Sequence, residues 1–440
     1  MTLQAGTGVV DITPLKPMFL VGYPHVDRIS QGAHDPLYAT ALCLKSGGTS
    51  LILVSVDILF IEKSTAARCR AAISEATGVP VENIVITATH THSGPVTFEY
   101  LSMSADPVLP KPDPEYMTQF EAGITVAATT AWRDTKAALL ATTTAYVEGV
   151  GCNRLSPEAV RDPAAGILYV VDAAERKPLA VLMAYAMHPT VLHEDSLLVS
   201  SDFPHFTRAV IKKNFPGATV LYHTAPGGNL SPRYHVKGQT FAEAERLGAR
   251  LGEIVCEALS KLEAAAFESA PVLGAASKLV DLPVRKFPAV GESERLLTAA
   301  VETFERLKRE GAAHGPVRTA ECVVFGAEER VVLSRTQDEG GLAPWLARAL
   351  PAEVQALRIG ETNVVALPGE LFVEYGLEVK RRLSGQTVVF SLANGELQGY
   401  IVTPEADAAG GYEAACSMFT AEAGRILVEA AITAAESLRE

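Results

Sequence analysis

The chain has 440 residues, 48% of them hydrophobic and 20% charged, and Lys+Arg 38 against Asp+Glu 51 leaves a net charge of −13. That composition can bury a sizeable core and excludes a disordered chain, while so acidic a balance excludes nucleic acid as the main partner, because a phosphate-binding surface wants a basic patch. The longest apolar runs, such as Leu51 to Phe60, reach about ten residues, half of the roughly 20 that a membrane helix needs, so no integral membrane contact is expected.

The opening stretch, Met1 to Gly8, has neither a basic region nor an apolar one, so no signal peptide is expected and the chain reads as soluble and cytoplasmic. Ala39 to Leu44 and Leu51 to Phe60 predict a strand pair across Ser46-Gly47-Gly48. Glu62 to Thr77 predicts a helix that stops at Gly78, and Asn83 to Thr89 a short β-rich run. Val96 to Pro114 carries Met103, Pro107, Pro110 and Pro112 without a period. A loop this long in a compact protein is usually functional or disordered, and its place after the chemically richest motif puts it at the site entrance. Glu115 to Ala137 predicts a helix, and Leu140 to Val150, Ile167 to Asp172 and Ala180 to Met187 predict strands. Pro204 to Asn214 follows as a helix, and Thr219 to Thr224 as a strand entering a Gly-rich turn. Thr240 to Ala265 is a long helix, Leu273 to Val284 a strand and Ser293 to Glu310 a charged helix. Val364 to Leu367, Leu371 to Leu383 and Thr387 to Leu392 give strand, helix, strand before a closing helix from Thr420 to Ser437.

Strands alternating with helices predict an α/β fold of mixed sheets with flanking helices in α/β/α-like layers. Two segments look alike: Leu51 to His90 and Asn363 to Tyr400 each run strand, acid, helix, strand and polar ring. Two related βαβ halves and chance similarity both stay open as explanations. No Pro/Gly/Ser linker splits the chain, so residues 1–440 read as one catalytic domain. The six cysteines, at positions 43, 69, 152, 256, 322 and 416, are scattered without a CxxC pair and read as buried small hydrophobes.

The strongest chemical signal is Thr89-His90-Thr91-His92-Ser93-Gly94-Pro95, at a strand end. Histidines at i and i+2 on extended backbone point the same way, and imidazole is the commonest zinc ligand. Ala184 to Met187 ends in His188-Pro189, where proline stops the ladder and leaves His188 at the strand tip. A buried core histidine is the alternative there. His193, Glu194 and Asp195 read as a solvated turn. In Ala225-Pro-Gly227-Gly228-Asn229-Leu-Ser231-Pro232 the paired glycines let backbone N–H groups approach a substrate oxygen, and Ser231 is a nucleophile, a donor or a turn residue. Glu370 sits in an apolar strand end, where a carboxylate is costly unless paired or metal-bound, and Tyr400 follows the next strand. Arg154, in Asn153-Arg154-Leu-Ser156-Pro157, suits a carboxylate or carbonyl oxygen or a structural ion pair.

With these residues the sequence resembles the neutral/alkaline, non-lysosomal ceramidase family. The matching motifs run in order: Gly6 to Thr13, Gly22-Tyr23, Asp35 to Ala41, Ser55-Val-Asp57, His90 to Pro95, Asn153-Arg154, His188-Pro189-Thr190, Val199 to Asp202, Ser231-Pro232, Pro368-Gly-Glu370, Tyr400, Thr403-Pro404-Glu405 and Tyr412-Glu413. The resemblance implies a zinc amidase with zinc on His90, His188, Glu370 and Tyr400, and with His92 as the acid/base group; a phenolic ligand is less usual, and donation from Tyr400 to the tetrahedral intermediate is the alternative. It places the family's serine on Ser231 and its arginine on Arg154. Metal-bound imidazoles normally donate to an oxygen partner, which makes Asp57 and Asp202 candidates for that role. The chain departs from the family pattern in three ways. No leader and no C-terminal β-sandwich are expected from it, Asn229 stands where the family has an acid, and the HTHSGP motif runs into Val96-Thr97. The expected function is hydrolysis of a non-peptide amide, with a small-molecule or lipid-like substrate that is smaller and more soluble than ceramide. An esterase or lactonase using the same zinc, a true ceramidase (N-acylsphingosine amidohydrolase) and a non-catalytic binding protein are the alternatives.

Overall fold

The computed structural model describes residues 2–439 other than 102, 103 and 105. Its main sheet has eight strands, in the order Thr219–Thr224, Pro178–Tyr185, Ala164–Asp172, Lys136–Tyr146, Gln4–Asp11, Tyr38–Ser46, Thr49–Val56, Ile84–Ala88. The two end pairs are parallel and the pairs between them antiparallel. A second sheet orders Leu273–Val280, Ala352–Ile359, Thr362–Ala366 and Thr387–Phe390, with only the last pair parallel. Both sheets are mixed, as expected.

The strands are buried on both faces, which is why they read as continuous apolar runs rather than as alternation. In the main sheet Ala41, Cys43, Ile52 and Val54 face helices Lys63–Thr77 and Pro114–Arg133. Their neighbours Leu42, Leu44, Leu51 and Leu53 point the other way, into a core shared with Leu357, Val364, Val388 and Phe390 of the second sheet. The opposite face of that sheet, Val354, Ala356, Val365 and Val389, packs on helix Glu422–Glu436. The expected mixed sheets with flanking helices are thus present, with two sheets stacked face to face between the helix layers. Helices Phe203–Asn214 and Phe241–Ser260 pack on each other and against the other end of the long sheet.

Both look-alike segments are parallel strand pairs joined by a helix, Lys63–Thr77 in one and Val373–Arg382 in the other. Their carboxyl ends meet. Thr87 bridges Ala393, the Ile86 N–H donates to the Asn394 side chain at 2.9 Å, and the Asn394 N–H donates to the Ile86 carbonyl at 2.8 Å. A third parallel pair, Pro178–Tyr185 with Thr219–Thr224, crosses over through helix Phe203–Asn214. Ligand sites in such sheets lie beyond the carboxyl ends of parallel strands, and here three sets of ends converge.

Of the elements outside the predicted set, three show why the pattern missed them. Strand Gln4–Asp11 shows no alternation because Gly6 and Gly8 lie under helix Pro114–Arg133, so close that a Cβ on either would strike the helix backbone. In helix His314–Asp338 the apolar residues come in consecutive runs, Val323 to Phe325 and Val331 to Leu333, which give no single helical stripe. Strand Ala352–Ile359 follows it. The loop predicted over 96–114 has no helix or strand between Val96 and Asp113 among its described residues, and Asp113 caps the next helix through the Tyr116 N–H at 3.0 Å. Met103 lies outside the described residues.

Asp57, 0% exposed, is held in a bidentate pair by Arg208 (Nη1 2.9 Å, Nη2 2.8 Å) and accepts from the Tyr38 N–H at 2.9 Å. Breaking a buried pair strands a charge. Arg208→Ala is therefore expected to lower unfolding free energy by about 3–5 kcal/mol in urea titrations. The double variant Asp57→Leu with Arg208→Met is expected to recover part of that loss.

Candidate metal centre and catalytic cavity

Strand Ile84–Ala88 delivers His90 through a sharp bend rather than by extending. His90 has φ +70°, uncommon outside glycine, and is pinned because the Thr89 and His90 N–H groups donate to the Val56 and Ile58 carbonyls, each at 2.9 Å. Extended i, i+2 geometry therefore does not align the two histidines; this kink does. His90 Nδ1 then lies 3.1 Å from the Leu59 carbonyl and His92 Nδ1 3.0 Å from the Gly22 carbonyl. Gly22 has φ +129°, and a Cβ there would sit 2.6 Å from His92 Nδ1, so only glycine lets the ring approach. His188, three residues past strand Pro178–Tyr185, places Nδ1 3.0 Å from the Gly227 carbonyl and 2.9 Å from that of Leu230. All three rings thus face a carbonyl with Nδ1, which assigns the proton there and leaves an Nε2 lone pair on each.

Those Nε2 atoms turn inward. His92 Nε2 is 3.4 Å from His90 Nε2, and Glu370 Oε2 is 3.0 Å from His188 Nε2 and 3.3 Å from His90 Nε2. The ligand atoms of His90, His92 and His188 all fall within 4.8 Å of one another. Glu370 pairs in parallel register with Tyr400, so the two residues are strand neighbours. Burial opposes charge on Glu370, but the facing imidazoles His90 and His188 outweigh it and hold the carboxyl well below its usual range. Burial holds His188 down to about 4, against the pull of Glu370. His92 is lowered well below its usual value by burial and by His90 and His188. With Nδ1 of each ring turned to a carbonyl, the Nε2 atoms of His90 and His188 meet the Glu370 carboxylate oxygen as acceptor facing acceptor. A cation resolves that arrangement, and the donor set fits a divalent metal.

His92 and His188 of this cluster open onto a cavity of about 120 Å3, which Arg154, Ser231 and Tyr400 also line. Arg154 Nε donates to Glu413 at 2.7 Å, and its guanidinium lies 5.2 Å from the Tyr400 ring centre. Arg154 Nη2 is buried and has no hydrogen-bond acceptor among the described residues. Burial raises the Tyr400 phenol well above its usual range, against Arg154, so it keeps its proton. The Ser231 hydroxyl accepts from the Arg233 N–H at 3.3 Å, within the strand pairing of Leu230–Ser231 with Cys152–Asn153.

The structure corrects several readings of single residues. Asp57 and Asp202 do not meet the imidazoles. Asp57 is committed to Arg208, while Asp202 caps helix Phe203–Asn214 and accepts from the Leu192 N–H at 2.8 Å. The paired glycines serve packing: the Gly228 N–H donates to the Leu371 carbonyl at 2.8 Å, which draws the turn onto Glu370. Asn229 bridges the same two segments, to Glu374 at 3.0 Å and from the Val373 N–H at 2.9 Å. His193 is not a solvated turn residue but lines the cavity, as do Arg233 and Arg318. Arg318 comes from helix His314–Asp338, remote in sequence from every histidine motif, and no local pattern marks it. Behind His90, Phe60 packs on the ring at 5.0 Å and stacks on Tyr100 of the 96–114 loop.

Residues 3–218 match the family described as neutral/alkaline non-lysosomal ceramidase, N-terminal. The chain is 24% identical to the neutral ceramidase of Pseudomonas aeruginosa, over 94% of this chain and 69% of that protein. It is 24% identical to neutral ceramidase A of Dictyostelium discoideum over 51% of this chain and 34% of the relative. The crystal structure of the Pseudomonas aeruginosa neutral ceramidase superposes with a TM-score of 0.77 at 20% identity, covering 98% of this chain and 74% of that one. A ceramidase complexed with C2 gives 0.78 at 19%, covering 100% and 75%. At these identities the structural likeness is one of fold.

Proposed function

Because the chain belongs, through residues 3–218, to the neutral/alkaline non-lysosomal ceramidase family, we propose that it is a zinc-dependent hydrolase of the carbon–nitrogen bond of a non-peptide amide. The observation that carries this reading is the convergence of His90 Nε2, His188 Nε2 and Glu370 Oε2, with a cavity beside them lined by His92 and Arg154. We place the ion on these three and on Tyr400, the strand neighbour of Glu370. A nitrogen and oxygen donor set without thiolate suits zinc. The ion, when bound, polarises the amide carbonyl and lowers the pKa of water to roughly 7.

The rest of the reaction falls to side chains. His92 keeps its Nδ1 proton on the Gly22 carbonyl, so its Nε2 is free to take a proton from water and hand it to the leaving nitrogen. An amine leaves poorly unless protonated, whereas an alkoxide needs less help, so the placement of His92 favours an amide over an ester. Arg154, braced by Glu413, offers its unsatisfied Nη2 donor to the carbonyl oxygen as negative charge develops there. Ser231 holds the turn that carries Arg233 beside the cavity. The relatives are named for ceramide, which makes an N-acylsphingosine amide one candidate substrate. No helix is long and apolar enough to cross a membrane. We also infer a cytoplasmic location, supported by six free cysteines.

The test is a panel of matched amides and esters, a short-chain ceramide included, run on protein of measured zinc content. Amide turnover that stops on chelation and returns with zinc is expected. Turnover that survives complete zinc removal, or ester cleavage with no amide cleavage, would contradict the reading.

A further inference from the structure

The cavity at the metal centre carries more positive charge than the chemistry just described uses. Three arginines line it: Arg154, Arg233 and Arg318, together with His193. Two of the three are neutralised by carboxylates. Arg154 pairs with Glu413 at 2.7 Å, and Arg318 pairs with Glu321 at 2.6 Å and Glu194 at 3.4 Å. Arg233 has no carboxylate partner among the described residues. Its guanidinium makes one long contact, from Nη1 to the Arg154 carbonyl at 3.5 Å. Its backbone is fixed by Ser231, two residues away, through the 3.3 Å bond to the hydroxyl.

We infer that the amide substrate carries an anionic group, a carboxylate or a phosphate, which docks on Arg233 beside the metal centre. The inference rests on the amide-hydrolase reading above and narrows its substrate class.

Three further observations support it. First, the guanidinium is a planar fork that binds carboxylate and phosphate oxygens two at a time, and it is the group of choice where such anions are held out of bulk water. Second, the cavity is small, about 120 Å3, against the roughly 300–1,000 Å3 of sites for drug-sized ligands. Apart from Cys322 and aromatic rings with a polar tip, its apolar lining is Pro24, Val236 and Phe325. Third, a chain of net charge −13 repels anions at long range, but that field is screened beyond about 8 Å in physiological salt. A half-buried arginine without a carboxylate partner at the cavity wall therefore acts locally, where it can select the substrate.

Glu194 is the carboxylate that serves the other basic side chains of the cavity. It is held ionised, down to about 2, chiefly by its hydrogen bond to His193, with Arg318 adding to the effect and burial opposing it. It lies between two side chains that line the cavity, at 3.2 Å from His193 and 3.4 Å from Arg318. It leaves Arg233 untouched.

The experiment compares kcat/KM within pairs that differ only in the anion. The pairs are N-acetylglycine against N-acetylglycinamide, N-succinylpropylamine against N-butyrylpropylamine, and N-acetylphosphoethanolamine against N-acetylethanolamine. A short-chain ceramide completes the set. The first two pairs read a carboxylate on either half of the substrate and the third reads a phosphate. At least one charged member is expected to exceed its neutral twin by about 10- to 100-fold, the range for hydrogen bonds to charged groups. In Arg233→Gln that ratio is expected to fall towards one, in Arg233→Lys to fall part of the way, and both variants are expected to keep wild-type zinc content. Ratios near one in every wild-type pair, a ceramide that outruns every charged amide, or a ratio unmoved by Arg233→Gln would each overturn the inference and leave the amide-hydrolase reading standing. Failure to cleave any amide would overturn both.

Discussion

His90→Ala loses bound zinc and catalytic activity together. His90 Nε2 faces Glu370 Oε2 at 3.3 Å and His92 Nε2 at 3.4 Å, so removing the ring leaves the carboxylate with His188 as its single imidazole neighbour. Loss of an outer partner of a zinc ligand commonly costs 10- to 100-fold in affinity, so loss of a direct ligand is expected to exceed about 100-fold. Stoichiometry after gel filtration reads the loss. Activity is expected to fall in step and to return in part at high added zinc. Thermal unfolding supplies an independent readout. A ligand that binds only the folded state raises Tm, so stripping zinc lowers the Tm of the wild type and leaves that of His90→Ala where it was. A variant that keeps one tightly held zinc would show that His90 is no ligand.

His92→Ala has the opposite signature: zinc stays and kcat falls by about 10²- to 10⁴-fold, the range for a lost general acid/base. This comparison decides between two ligand sets. By distance alone His92 groups with His90 and His188, all three ligand atoms lying within 4.8 Å, whereas the assignment above takes Glu370 and Tyr400 and reserves His92 for proton transfer. Zinc lost from His92→Ala would favour the three-histidine set. Substrate dependence sharpens the test. If His92 protonates the leaving nitrogen, its removal costs more on an amide than on an ester whose leaving group departs unaided. Equal losses on the two would assign His92 to activation of water alone.

Much of this was legible in the sequence because local chemistry and tertiary use coincide. The doubly buried strands announce themselves as apolar runs, and His90, His92, His188 and Glu370 each sit just past a strand, where parallel units mount their ligands. The approach of His90 to His92 was expected from extended backbone and is achieved instead by a left-handed residue, which no spacing rule foresees. Other parts were illegible for physical reasons. Asp57 looks like a metal partner until Arg208, supplied by a helix some 150 residues on, claims both its oxygens. Arg318 and His193 meet at the cavity only because Glu194 joins a loop to a helix whose apolar residues form no stripe. Arg233 follows Ser231-Pro232 and reads as turn chemistry until its lack of a carboxylate partner becomes visible in three dimensions.

The measurement that bears most directly on the account is the position of zinc by anomalous diffraction at the zinc edge, from crystals of the protein as purified. The account expects one peak about 2.0–2.2 Å from Nε2 of His90 and of His188 and from the Glu370 carboxylate, with the Tyr400 oxygen completing the shell and His92 Nε2 outside it. A peak bonded to His92 in place of Glu370 or Tyr400, or no peak at this cluster in catalytically active crystals, would contradict it.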